Sequence, residues 1–271
     1  MLRRRRKTPK PPQAAQPAGV PGSRRRPRPG AQVPSELILT ERVALKPKPT
    51  VRHEGPVVLV TGFDPFCEEN VNPSWQICEK LPRAIGGVRV ETCRVPCEFR
   101  RAIETVVEAI ERVKPALVVL LGQASGRAHL SVERVAINVD DARIADNGGL
   151  QPVDEPIAAN GPPAYFATLP IKAMVAAMRQ AGVPAEVSNS AGTYVCNHLM
   201  YGVLHYLDSR GRGNHTVRAG FIHVPYSEEQ VIDKPAMPAM ALETMVRGVE
   251  AAIVAANRNA TDLRIGGGTL D

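Results

Sequence analysis

From Pro56 onward, short apolar or β-branched runs alternate with segments whose apolar residues recur at helical spacing, and this alternation restricts the fold more than any other feature of the chain. The runs are VVLVTGF (57–63), VRVETCRV (88–95), ALVVLLG (116–122), RVAINV (134–139), AEVSN (185–189) and RAGFIHVPY (218–226). Each is ended by Gly, Pro or polar residues, so each reads as a strand. Helices are expected over 73–85, over 99–113 with Ile103, Val106, Val107, Ile110 and Val113 on one stripe, over 171–182, from near Cys196, and over 240–257. Such an order implies an α/β fold, a largely parallel sheet with helices on both faces. Ligands in that architecture bind beyond the C-terminal ends of the strands, which selects the loops Thr61–Asn72, Gly122–Glu133 and Ser188–Cys196.

The 271 residues are 44% hydrophobic, enough for a full core, and no stretch approaches the ~18 consecutive apolar residues of a membrane span. Five cysteines, an odd number with no CxxC pair and no zinc-site spacing to histidines, point to a reduced thiol set in a cytoplasmic protein. Charge is unevenly distributed. Residues 1–54 carry 14 Lys and Arg against Glu36, Glu41 and Glu54, and ten of the 25 prolines, whereas the remainder is net acidic. With few apolar residues, a basic segment of this kind is expected to be a disordered tail. No apolar h-region follows its arginines, so it is not a secretory or twin-arginine signal. Contact with nucleic acid or another anionic surface is one use for it, and a solvated tail is another. SELILTERVAL (35–45) reads as a short adhering element, GGGTL at the end as a flexible terminus, and 55–271 as the folded domain.

Neither GxxxxGK[ST] nor a GxGxxG after a strand is present, which removes a P-loop and a Rossmann cofactor site. GQASG (122–126) has its serine one position away from a hydrolase elbow, leaving Ser125 as a weak alternative nucleophile. The segment SNSAGTYVCNHLMYGVLHYL (188–207) supports two readings of Cys196. It extends the stripe of Leu199, Met200, Val203, Leu204 and Leu207, as a packing cysteine would. It also falls in a first helical turn, with Ser190 and Thr193 as candidate N-caps, where the free N–H groups and the helix dipole favour a thiolate. Cysteine catalysis requires a histidine within reach. His198, two residues on, points away around the helix, and His53, His129, His205 and His215 lack a suitable context. His223 lies near the end of an apolar strand, where both a core histidine and a site residue are found.

VLVTGFDPFCEENVNPSWQICEKL (58–81), ERVAINVDDARIADNGGLQPVDEPI (133–157), GPPAYFATLPIKAMV (161–175), SNSAGTYVCNHLMYGVLH (188–205) and AGFIHVPY (219–226) together resemble the pyrrolidone carboxyl peptidases, or type I pyroglutamyl peptidases. The resemblance runs in order over about residues 56–256. It implies a three-layer α/β/α sandwich, no metal or cofactor, a cytoplasmic homotetramer, and removal of N-terminal pyroglutamate from peptides through a thioester. The implied nucleophile is Cys196, its base His223 and the triad acid Glu133, with Arg143 beside the first-turn amides as an oxyanion contact or else an ion-pair partner of Asp140 or Asp141. Phe63 and Phe66 would sandwich the lactam ring, Asn72 and Gln123 would supply polar contacts, and Tyr194 and Val195 would form a wall. Asn72 has a second reading, as the cap of the helix opened by Pro73.

Two departures bear on activity. Cys67 and Glu68 stand where the family has Gly-Gly, which predicts an altered loop because side chains resist positive φ. Tyr194 stands where Phe is common. The competing class is therefore a catalytically weakened relative that acts as a binding protein through its basic arm.

Overall fold

The computed structural model describes residues 55–210 and 217–267. The basic arm, SELILTERVAL, His53, His215 and the last residues of the glycine-rich terminus lie outside these. β1 (Val57–Phe63), β3 (Val88–Val95), β4 (Leu117–Gln123) and β9 (Arg218–Val224) run side by side and parallel in the order β3-β1-β4-β9. The short β2 (Ala84–Ile85) pairs antiparallel with β3, and the sheet continues past β9 with β5 (Leu130–Glu133) and β8 (Ala185–Ser188).

Both faces are covered, which is why β1 and β4 are almost continuously apolar. Val58, Val60, Val119, Leu121 and Ile222 pack against α1 (Pro73–Lys80), α3 (Ile171–Gln180) and α5 (Leu242–Arg258) through residues such as Ile77, Met174, Met178, Met245 and Val249. On the other face Leu59, Phe63, Val118, Leu120 and Phe221 meet α2 (Arg101–Val113) and α4 (Val195–Ser209) through Val106, Ile110, Leu199, Met200 and Val203. Each fully buried Leu, Met or Val contributes about 1.5–3 kcal/mol. The result is the expected three-layer α/β/α arrangement.

Five expectations change. β5 pairs antiparallel with β9 and parallel with β8, so these two strands oppose the other long ones. The connection from β4 to β5 spans residues 124–129 only, too short for the crossover that a parallel return requires. The run 134–139 supplies only β6 (Val135–Ile137), which forms a separate two-stranded sheet with β7 (Ala164–Phe166). The first helix stops at Lys80 because Pro82 follows its C-cap Leu81, and the next two residues of the expected helix after Arg83 form β2. Neither Ser190 nor Thr193 caps α4. Its N-cap is Tyr194, without a side-chain hydrogen bond, while Thr193 Oγ1 donates to the Asp141 carbonyl at 2.8 Å. The beginning of the glycine-rich terminus is docked on α3 and the β6 side, since Lys172 donates to the Ile265 carbonyl and Arg134 to that of Gly267.

Candidate active site

β9 and β4 run in register with His223 beside Gly122, and β5 crosses on the far side of β9 with Ser131 opposite His223. Side chains in register on neighbouring strands share a face, so His223 sits on the α4 side of the sheet. Glu133, two residues beyond Ser131, faces the same way. Its Oε1 accepts from His223 Nδ1 at 2.7 Å and from Arg127 Nη1 at 2.8 Å. Both Glu133 and His223 are buried. A carboxylate can only accept here, so His223 carries its proton on Nδ1 and presents the lone pair of Nε2.

Cys196 is the second residue of α4, and its sulfur lies over Gly122, 3.0 Å from the point a β-carbon there would occupy. The ring of Phe221 closes the same space at 2.6 Å, so residue 122 has no room for a side chain. The thiol therefore stands next to the strand residue paired with His223, although no hydrogen bond joins the two among the described residues. Burial pushes the Cys196 thiol up to about 12, Glu133 pushes it the same way, and Arg127 opposes both. His223 is displaced below its usual range, chiefly by burial, with Glu133 opposing and Arg127 adding to the shift. Burial works to raise the Glu133 carboxyl, yet the hydrogen bond and charge of His223, with Ser188 and Arg127, outweigh it and hold the group low. The resting pair is thus a neutral thiol and a neutral imidazole over an ionised carboxylate.

At the mouth, Phe63 is buried at the end of β1, and Phe66 packs on Tyr194 with ring centroids 5.3 Å apart. Tyr194 meets Phe99 edge-on and donates its hydroxyl to the Ala145 carbonyl at 3.1 Å, which fixes the wall beside buried Val195. Cys67 and Glu68 do adopt positive φ, 55° and 63°. The loop thus keeps a left-handed turn in spite of its side chains, at about 1 kcal/mol or more for each. Asn72 is the N-cap of α1. Its Oδ1 accepts from the amide and the hydroxyl of Ser74 at 3.1 and 2.7 Å, and its Nδ2 donates to the Asp64 carbonyl at 3.0 Å. Gln123 ends β4 and is half-buried. Arg143 is exposed and forms no ion pair among the described residues; Asp140 instead pairs with His198 at 2.7 Å. The segment carrying Arg143 is tied to the start of α4 by bonds from Thr193 and Tyr194 to the carbonyls of Asp141 and Ala145.

The other described histidines are engaged elsewhere: His198 with Asp140, His205 with Tyr165, His129 with Glu186. Ser125 is exposed in the 124–129 loop. Among the described residues no group of three or more His, Cys, Asp or Glu is arranged to hold a metal, and no helix is long and apolar enough to cross a membrane. Sequence reasoning missed Arg127, which shares the Glu133 oxygen with His223, and Gly122, whose missing side chain makes room for the sulfur. GQASGR (122–127) contained both, but its partners are distant in sequence.

Residues 57–259 match the profile of a family described as pyroglutamyl peptidase. A pyrrolidone-carboxylate peptidase of Cupriavidus taiwanensis is 53% identical over 79% of this chain and 99% of its own length. One from Erwinia tasmaniensis is 52% identical over 78% and 97%. Among solved structures, the pyroglutamyl peptidase I of Bacillus amyloliquefaciens is 42% identical with a TM-score of 0.73, covering 77% of this chain and all of its own. The pyrrolidone carboxyl peptidase of Thermococcus litoralis is 38% identical with a TM-score of 0.74, covering 78% and 99%.

Proposed function

The chain belongs to the pyroglutamyl peptidase family, a family of cysteine peptidases, and on that premise we propose that it releases N-terminal pyroglutamate from peptides with Cys196 as nucleophile, His223 as base and acid, and Glu133 orienting the imidazole. The observation that carries this reading is the 2.7 Å bond from His223 Nδ1 to buried Glu133, which leaves Nε2 free on the face where the Cys196 sulfur lies.

With the thiol held neutral by burial, attack is coupled to proton transfer. His223 Nε2 takes the Sγ proton as sulfur bonds to the pyroglutamyl carbonyl carbon, and the C=O electron pair moves to oxygen. The first-turn amides of α4, which have no side-chain cap, stabilise that oxyanion, with Arg143 as a second positive group. Collapse re-forms C=O and breaks the C–N bond, and the leaving amine receives the proton from His223. A thioester remains. Water then loses a proton to Nε2 as it attacks, and the sulfur departs with that proton to regenerate the thiol. Phe63 and Phe66 would hold the lactam ring between apolar faces, with Tyr194 and Val195 as the wall and Gln123 as a polar contact. We assign Asn72 to holding the loop, because its oxygen and one amide proton are already committed.

The test is turnover of a pyroglutamyl amide reporter by the full chain, before and after iodoacetamide, and by Cys196→Ser. The expected result is turnover abolished by labelling of Cys196 and absent from the folded serine variant. Full activity in Cys196→Ser would refute the mechanism, and an inactive wild-type chain would favour the binding-protein alternative.

A further inference from the structure

Arg100, the residue before α2, has φ 64° and ψ −58°, and the Arg101 N–H closes back on the Phe99 carbonyl at 2.7 Å. This is a three-residue turn of the rare, strained hand, which a side chain disfavours and glycine does not. Strain of this kind persists only where the surroundings impose it. Here a residue of α4 imposes it. The Arg100 N–H donates to Nε2 of His198 at 2.8 Å, and His198 Nδ1 donates to Asp140 Oδ2 at 2.7 Å. A backbone N–H can only donate, so the imidazole carries its proton on Nδ1, and Asp140 selects that tautomer. His198 and Asp140 are both buried, so loss of either partner leaves a polar group unmatched away from water.

The turn sets the position of Phe99. Its own N–H donates to Asp146 at 2.7 Å, and its ring meets His198 and Tyr194 edge-on, with centroids 5.2 and 5.4 Å away. Tyr194 in turn packs on Phe66 at 5.3 Å. A row of rings thus leads from the Asp140–His198 pair to the side chains assigned to the lactam pocket. Phe99, Arg100 and His198 also border a cavity of about 280 Å³, so the turn has space to relax when it is not held. We propose that His198 is a positioning residue, which with Asp140 holds the strained turn at Arg100 and so keeps Phe99 behind the Tyr194 wall in the arrangement that fits the ring of pyroglutamate. This rests on the pyroglutamyl-peptidase reading of the site and adds to it a second histidine–carboxylate pair, whose task is substrate fit rather than proton transfer. When the turn is not held, the fitting arrangement becomes a minor conformer that substrate must select, which weakens binding and leaves the bound complex unchanged. The signature therefore falls on KM rather than kcat.

The test separates the hydrogen bond from the packing. His198→Gln retains an acceptor for the Arg100 N–H and a donor for Asp140. In His198→Phe combined with Asp140→Leu an aromatic ring still meets Phe99, no carboxylate is stranded, and the Arg100 N–H has no acceptor. Asp140→Leu alone, in which the imidazole proton is free to move to Nε2, is the second route to the same loss. Measured for each are kcat and KM on a pyroglutamyl amide, Tm, and the rate of Cys196 alkylation by iodoacetamide, which does not use the ring pocket. The expected result for the double variant is a KM increase of roughly 5- to 30-fold, with kcat and alkylation near wild type. Asp140→Leu should move the same way, and His198→Gln should stay near the wild-type KM. Adding Arg100→Gly to the double variant should recover most of the KM, since glycine takes positive φ without being held. An unchanged KM in both Asp140→Leu variants would overturn the proposal. So would kcat and alkylation falling in step with KM, or a His198→Gln as impaired as the double variant; each would leave His198 with packing alone. A wild-type chain that does not turn over the reporter would instead refute the functional reading, and with it the assignment of Tyr194 to a substrate wall.

Discussion

The sulfur of Cys196 rests against the bare backbone of Gly122, 3.0 Å from where a β-carbon would stand. The fully buried ring of Phe221 lies 2.6 Å from the same point, so neither neighbour can retreat without cost. Gly122→Ala is therefore expected to displace the thiol from His223. Misplacement of about 1 Å can lower turnover by roughly 10²-fold. Overpacking should cost about 1–3 kcal/mol of stability. Turnover of a pyroglutamyl amide and Tm are the measurements; a variant with wild-type turnover would show that the sulfur does not act from this position.

Glu133 carries two donors on one oxygen, and their removal has different consequences. In Glu133→Gln the new amide can donate to Nδ1, which moves the imidazole proton to Nε2 and leaves no lone pair for the thiol proton. Turnover should fall by roughly 10²- to 10⁴-fold. Arg127→Met keeps the tautomer and removes a positive charge that pushes His223 downward. Because only a neutral His223 can accept the thiol proton in the proposed mechanism, the acid limb of kcat/KM is expected below the ordinary histidine value of about 6.5 in the wild type. In Arg127→Met it should move to higher pH. A limb that stays in place or moves down would exclude electrostatic control of His223 by Arg127.

The sequence made these elements legible to different degrees. β1, β4 and β9 could be read almost to the residue because strands covered on both faces are nearly uninterrupted apolar runs, and β3 because its buried and more exposed residues alternate. β5, the strand that carries Glu133, could not. LSVE is four residues long and half polar, and its place beside β9 is set by pairing with residues some ninety positions away. Glu133 was therefore named by resemblance alone. Cys196 was singled out by its place in the first turn of α4, with packing and nucleophile both open until the resemblance favoured the second, and the reason it can sit there, the missing side chain at 122, is a long-range contact without a local signal. The capping residues before α4 were misread because Ser190 and Thr193 are equally suited to loop bonds, and the loop used them.

The basic segment lies outside the matched residues 57–259 and holds 14 of the 34 Lys and Arg. Deleting residues 1–50 is expected to leave Tm and turnover nearly unchanged. The deletion should also remove any binding to nucleic acid that weakens steeply with salt, since such binding comes from counterion release. A large loss of stability or turnover would mean that the segment is part of the catalytic unit.

Asn72 connects the pocket loop to the start of α1. Its oxygen takes the amide and hydroxyl of Ser74, the Ser74 oxygen accepts from the Phe63 amide at 2.9 Å, and Nδ2 holds the Asp64 carbonyl. One side chain therefore fixes the end of β1 that carries Phe63 and the entry to the turn that carries Phe66. Asn72→Ala should lower stability by about 1–2 kcal/mol through loss of the cap. It should also lower kcat/KM on pyroglutamyl and prolyl amides by similar factors, because the ring-binding faces shift for both. Asn72→Asp retains the capping oxygen and should recover most of the stability. A direct lactam contact through the remaining Nδ2 proton would give a different pattern: Tm unchanged in Asn72→Ala, pyroglutamyl turnover reduced far more than prolyl, and no recovery with Asp. That pattern would return Asn72 from the loop to the substrate.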